Sequence, residues 1–71
     1  MNTLRQLRRS KNLSAIEVAR AIQSDVGNVS RIERGKQHPT FRTAKKLAEF
    51  YGVTVGEIYN LLPLENALQS A

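Results

Sequence analysis

The chain has 71 residues, a net charge of +5 and no cysteine. That length holds one small domain whose core is marginal without a supplement, and the missing cysteines exclude disulfides and thiolate metal sites. The polar start MNTLRQLRRSKN is unlike a signal peptide and no stretch is long enough to span a bilayer, so a soluble intracellular protein is expected, with oligomerisation as the remaining supplement.

Charge is unevenly placed. All 11 Lys and Arg lie in residues 1–46 against three acids there, a local balance of +8, while residues 47–71 hold three acids and no base, a balance of −3. A basic front and a mildly acidic, apolar rear suggest one face for a polyanion and another for a partner subunit. A solvated basic surface has the same composition, so charge alone does not fix the partner.

In chain order, Leu4 and Leu7 lie three apart among Arg5, Arg8, Arg9 and Lys11 and predict a first helix over about residues 2–11. Lys11–Asn12 breaks it. Ser14 followed by Glu17 is a capping box, in which hydroxyl and carboxylate each take an amide of the first turn. It opens a second helix, about Ala15–Ile22, with Val18, Ala19 and Ile22 inward. Gln23–Ser24 is a turn. Asp25 caps a third helix, about Val26–Arg34, with Val29 and Ile32 inward and Gly35 as its stop.

Gly35–Thr40, GKQHPT, reads as a loop. Thr40 caps a fourth helix, about Phe41–Tyr51, on which Phe41, Ala44, Leu47, Ala48 and Tyr51 fall at helical spacing, and Gly52 ends it. Thr54 with Glu57 is a second capping box and opens a fifth helix, about Val55–Leu61. Pro63 closes the compact part, and the tail LENALQSA is weakly helical by propensity. No strand pattern or repeat is present. The expected class is all-α, five short helices with short links. Helices two and three, crossing over a tight turn, make a helix-turn-helix whose second helix is of a size to enter a DNA major groove.

The segments LRQLR at 4–8, LSAIEVA at 13–19, VSRIERGKQHPT at 29–40 and KLAEFYGVTVGEIY at 46–59 occur in this order. With them the chain resembles the Cro/repressor-type (Xre-like) helix-turn-helix family of phage and bacterial regulators, over about residues 3–62. The resemblance implies a five-helix lambda-repressor-like domain over residues 1–62 and a tail, 63–71, that can contribute to dimerisation. Ala19 falls where the two motif helices cross. Two residues depart from the family pattern. Gln23 stands where Gly is usual, and Ser24 where an apolar residue is usual. Gly there permits positive φ, so Gln23 carries a strain of about 1 kcal/mol.

The resemblance makes helix three the recognition helix, with Val26, Gly27, Asn28, Ser30 and Arg31 as the residues facing bases. Asn pairs bidentately with adenine and Arg with guanine; Val26 suits a thymine methyl, and Gly27 admits close backbone approach. Ala15 stands where the family often has a bracing Gln, which shifts base reading onto Asn28 and Arg31. The competing assignments are a helix-surface amide for Asn28 and a phosphate contact or ion pair for Arg31. Phosphate contacts are expected from Ser14, Arg34, Lys36, Gln37, Thr40 and the amide of Phe41. Arg42, Lys45 and Lys46 are expected to be solvated. Arg8 and Glu33 match positions of a partly buried ion pair in this family.

The function expected from this resemblance is sequence-specific binding of double-stranded DNA by a transcriptional regulator, a Cro-like repressor on a near-palindromic operator. It would act as a homodimer in the cytoplasm of a bacterial host, associated with the nucleoid. Tyr59, Leu61 and Leu64 are the expected dimer contacts, while Val55, Ile58 and Leu62 complete the core. No catalytic constellation, metal site, cofactor or small-molecule ligand is expected, and His38 reads as a surface loop residue near phosphate. An RNA role is disfavoured because the four aromatics sit at mostly core-like positions. An antitoxin-type protein-binding autoregulator, or a restriction–modification controller or activator on the same fold, remains as an alternative.

Overall fold

A computed structural model describes residues 3–63. They form five α-helices, α1 (Leu4–Ser10), α2 (Ala15–Ala21), α3 (Val26–Glu33), α4 (Phe41–Tyr51) and α5 (Val55–Asn60), and no strand. The all-α, five-helix expectation therefore holds. Helices α2, α3 and α5 end one residue before their predicted ends, because Ile22, Arg34 and Leu61 serve as C-caps. The tail beyond Pro63, with Leu64, lies outside the described residues. Within the described residues no helix is long and apolar enough to cross a membrane.

Helices of 6 to 11 residues do not persist alone in water. Each here is started by an oxygen-bearing N-cap. Thr3, Ser14, Asp25, Thr40 and Thr54 accept from the amides of Gln6, Glu17, Asn28, Thr43 and Glu57 at 2.7–3.2 Å. A cap of this kind contributes about 1 kcal/mol. Two caps are reciprocal boxes, Ser14 with Glu17 and Thr3 with Gln6. The second is visible in the sequence as Thr-x-x-Gln, one register ahead of Leu4 and Leu7. The predicted Thr54–Glu57 box forms only by half: the Glu57 carboxylate takes the Thr54 hydroxyl, at 3.4 Å, instead of the Thr54 amide. At α2, donation by the Ser14 amide holds the Glu17 carboxyl below its usual range.

The core gathers Leu4, Val18, Ala19, Ile22, Val29, Ile32, Ala44, Leu47, Ala48, Tyr51 and Ile58. Val55 and Leu62 pack partly buried against it. Helix α2 packs on α3, with Ala19 3 % exposed, and α4 packs on α5. The start of α1 and the end of α5 are tied by the Leu4 amide, which donates to the Leu61 carbonyl at 2.9 Å. One predicted inward residue is not inward: Phe41 is 65 % exposed. Helical side chains lean toward the N-terminus, so a residue at the first helical position reaches beyond α4, past the core. Phe50 is exposed as well and Tyr59 is half-buried, which leaves Tyr51 as the aromatic member of the core. Burial, helped by the Glu33 charge, pushes the Tyr51 hydroxyl up to about 12.

The turn of the motif has the conformation that its missing glycine implies. Gln23 has φ 58°, in the left-handed region that L side chains adopt at a cost of about 1–2 kcal/mol. The turn is held by the Ser24 amide, which donates to the Ala19 carbonyl at 2.8 Å. Gly35 closes α3 at φ 75° with no such cost. Gln23→Gly is therefore expected to raise stability by about 0.5–1 kcal/mol, the relieved strain less the entropy of a freer unfolded chain. The urea midpoint measures it, and an unchanged or lowered midpoint would show that Gln23 is not strained.

Candidate nucleic-acid interface

Helix α3 buries Val29, Ile32 and Glu33, which leaves Val26, Gly27, Asn28, Ser30 and Arg31 on its other faces. They do not all point the same way. Val26 is 44 % exposed, and Arg31 is exposed too. Ser30 lines a shallow cleft with Arg5, Arg8, Ala15, Glu33 and Arg34. Arg34 reaches back along α3, its Nε donating to the Ser30 carbonyl at 3.4 Å. At Gly27 the missing side chain leaves room for a neighbour. A Cβ built there would lie 3.1 Å from Nη1 of Arg31 and 3.2 Å from Oδ1 of Asp25. The guanidinium thus lies along α3 in the space that a side chain at 27 would take.

Asn28 and Arg31 belong to one hydrogen-bonded chain. Arg31 Nε donates to Gln37 Oε1 at 2.9 Å, Gln37 Nε2 donates to Asn28 Oδ1, and Asn28 Nδ2 donates to Ser24 Oγ at 2.8 Å. The backbone beyond α3 brings Gln37 into place, its amide reaching the Arg31 carbonyl at 3.3 Å. From the sequence, Gln37 is expected among the phosphate contacts and Ser24 only in the turn. The four-residue spacing of Ser24 and Asn28 was the available signal for one of these bonds; the other two depend on the path of the loop.

The flanking groups follow the expected pattern only in part. Lys36 is exposed just past α3. The Thr40 hydroxyl is committed as a cap, and the Phe41 amide lies in the first turn of α4, where no intrahelical acceptor exists. At α2 the Ser14 amide is taken by the Glu17 carboxylate at 2.9 Å, which puts a negative charge at this helix start. What remains there for an anion is the Ser14 hydroxyl proton and the next amides. Arg5, assigned from sequence only to a basic outer face, shares the cleft at Ala15 with Arg34. Lys46 is not simply solvated: its Nζ donates to the Ile22 carbonyl at 3.3 Å, a cation at the C-terminal end of α2. His38 stacks on Tyr59, with ring centroids 5.4 Å apart and 22° between planes.

Orientation of α3 is fixed from behind. Arg8 grips Glu33 through two parallel bonds, Nε to Oε2 at 2.8 Å and Nη2 to Oε1 at 3.1 Å, and its Nη1 donates to the Leu13 carbonyl at 2.8 Å. The two side chains are only 12 % and 5 % exposed. This planar fork joins α1, the approach to α2 and the end of α3. Its bond to Glu33 raises the Arg8 pKa above the ordinary guanidinium value.

Residues 4–58 match a helix-turn-helix family model. The chain belongs to the helix-turn-helix family. Relatives within this family include the transcriptional regulator DdrOP3 of Deinococcus deserti, 38 % identical over 55 residues, which cover 78 % of this chain and 43 % of that protein. The cryptic phage CTXphi transcriptional repressor RstR of Vibrio cholerae is 38 % identical over 55 residues, covering 78 % of this chain and 50 % of the repressor. A helix-turn-helix transcriptional regulator of Methanocaldococcus jannaschii is 31 % identical over 58 residues, covering 82 % and 88 %. This helix-turn-helix chain thus spans about half the length of the first two. No solved structure matches it.

Proposed function

We propose that the chain is a sequence-specific, double-stranded DNA-binding transcriptional regulator that represses by occluding a promoter. The observation that carries this reading is on α3, where half-buried Asn28 and exposed Arg31 are joined through Gln37 by bonds that use only part of their hydrogen-bonding capacity. The basic residues in the first 46 positions supply the attraction to phosphate. Its relatives are named as transcriptional regulators, a phage repressor among them, which supports it.

The chain binds as a homodimer on a near-palindromic operator, in the nucleoid of a bacterial cell. Two-fold binding sets the two α3 helices in successive major grooves, roughly 34 Å apart. Half-buried Tyr59 and Leu61 lie at the α5 end, where a second copy would meet the first; Leu64, the third expected contact, lies outside the described residues. Sedimentation on a selected operator tests this. Two chains per site, with two footprints one helical turn apart, are expected, and one chain per site would overturn the dimer.

Lys36 serves phosphate alone in this account. Lys36→Ala is expected to weaken every sequence alike and to lower the slope of log affinity against log salt by about one. Binding curves at several salt concentrations check this, and a loss confined to one sequence would make Lys36 a base reader.

A further inference from the structure

We infer that Gln37 is a positioning residue for base selection, coupling Asn28 and Arg31 so that the two base pairs they read are not read independently. The inference rests on the DNA-binding reading above and adds to it a residue outside the recognition helix.

Hydrogen-bond polarity carries the argument. Arg31 has donors and no acceptor, so Gln37 turns its Oε1 to Arg31 Nε and has only its Nε2 left for Asn28. Asn28 must then offer Oδ1 to Gln37, which turns its Nδ2 toward the Ser24 hydroxyl. One donor-only group therefore sets the orientation of two amides whose oxygen and nitrogen ends would otherwise be interchangeable.

The capacity left over matches what a reading head needs. An amide side chain has two donors and two acceptor sites. The chain of bonds uses one of each on Asn28 and leaves one N–H and one lone pair, the set that the N7 and N6 edge of adenine complements. Arg31 uses Nε and keeps both terminal nitrogens, the pair that meets guanine O6 and N7. Long exposed side chains lose rotamer freedom when they bind. Arg31 is restrained beforehand by Gln37 at Nε and by its fit over Gly27, where Nη1 lies 3.1 Å from the Cβ position.

The test uses the full chain and a site selected from random duplex DNA. Selections with Asn28→Ala and Arg31→Ala first identify the two base pairs. Gln37→Ala is then expected to reduce the preference at both pairs by about five- to ten-fold, part of what full bidentate contacts provide, with the salt slope unchanged. Gln37→Glu keeps the acceptor for Arg31 and removes the donor to Asn28. It is expected to abolish or reverse the preference at the Asn28 pair and to leave that at the Arg31 pair within about two-fold. In the free protein, Gln37→Ala is expected to shift the NMR signals of Asn28 Nδ2 and Arg31 Nε.

Uniform weakening with a lower salt slope would make Gln37 a phosphate contact and overturn the inference. A motif kept intact at both pairs in Gln37→Ala overturns the coupling and leaves the DNA reading standing. A wild-type chain that enriches no motif overturns the DNA reading itself, whatever the NMR signals do.

Discussion

Arg8→Ala is expected to remove about 3–5 kcal/mol of stability, the cost of leaving one partner of a buried pair without the other. A domain of this size has about 4–10 kcal/mol in total, so the variant sits near the edge of folding. The large value is warranted because both side chains are almost fully withdrawn from water, at 12 % and 5 % exposure, where solvent screens little. Three hydrogen bonds of Arg8, two to Glu33 and one to the Leu13 carbonyl, disappear together. The apolar double variant Arg8→Met/Glu33→Leu is expected to recover most of the loss, because neither charge is then buried alone. Urea denaturation of the wild type, both single variants and the double variant measures the coupling. A single-variant loss below about 1 kcal/mol would place the pair in the class of screened surface bridges.

Arg31→Ala is expected to act on binding and not on folding. Its side chain is exposed and alanine favours the helix, so the unfolding midpoint should hold. Affinity for the selected operator should fall by about 1–3 kcal/mol, with preference relaxed at one base pair. Arg31→Lys is expected to recover little of that preference, since an ammonium cannot reproduce the planar fork. Titrations against the operator and its single-base variants separate the outcomes. Equal loss on every sequence would move Arg31 to the phosphate contacts with Lys36.

The helices were legible in the sequence because their signals are local. A cap three residues ahead of its partner amide, an apolar stripe and a closing glycine all lie within one or two turns, and α4 matched its predicted bounds at both ends. The αL turn at Gln23 was legible for a different reason, the family pattern that has Gly at this position. What failed depends on neighbours that periodicity does not see. Phe41 obeys the spacing of its helix and is still 65 % exposed. Lys46 finds the Ile22 carbonyl 24 residues away.

The candidate site divides in the same manner. The Arg8–Glu33 pair came from the family pattern and is present. The link from Gln37 to Asn28 and Arg31 requires Gly35 to turn the chain back over α3, and His38 and buried Pro39 to dock the loop behind it. No pattern of residue types announces that path. Charge, likewise, marked a basic half of the chain, while it took the fold to bring Arg5 and Arg34 to one cleft.

The central claim is that this face of α3 reads DNA sequence, and selection of bound sites from random duplex DNA tests it most directly. The expected result is a near-palindromic motif with purine preferences that Asn28→Ala and Arg31→Ala each relax at one position per half-site. Recovery of unselected sequences, bound with equal affinity and governed by salt alone, would contradict it.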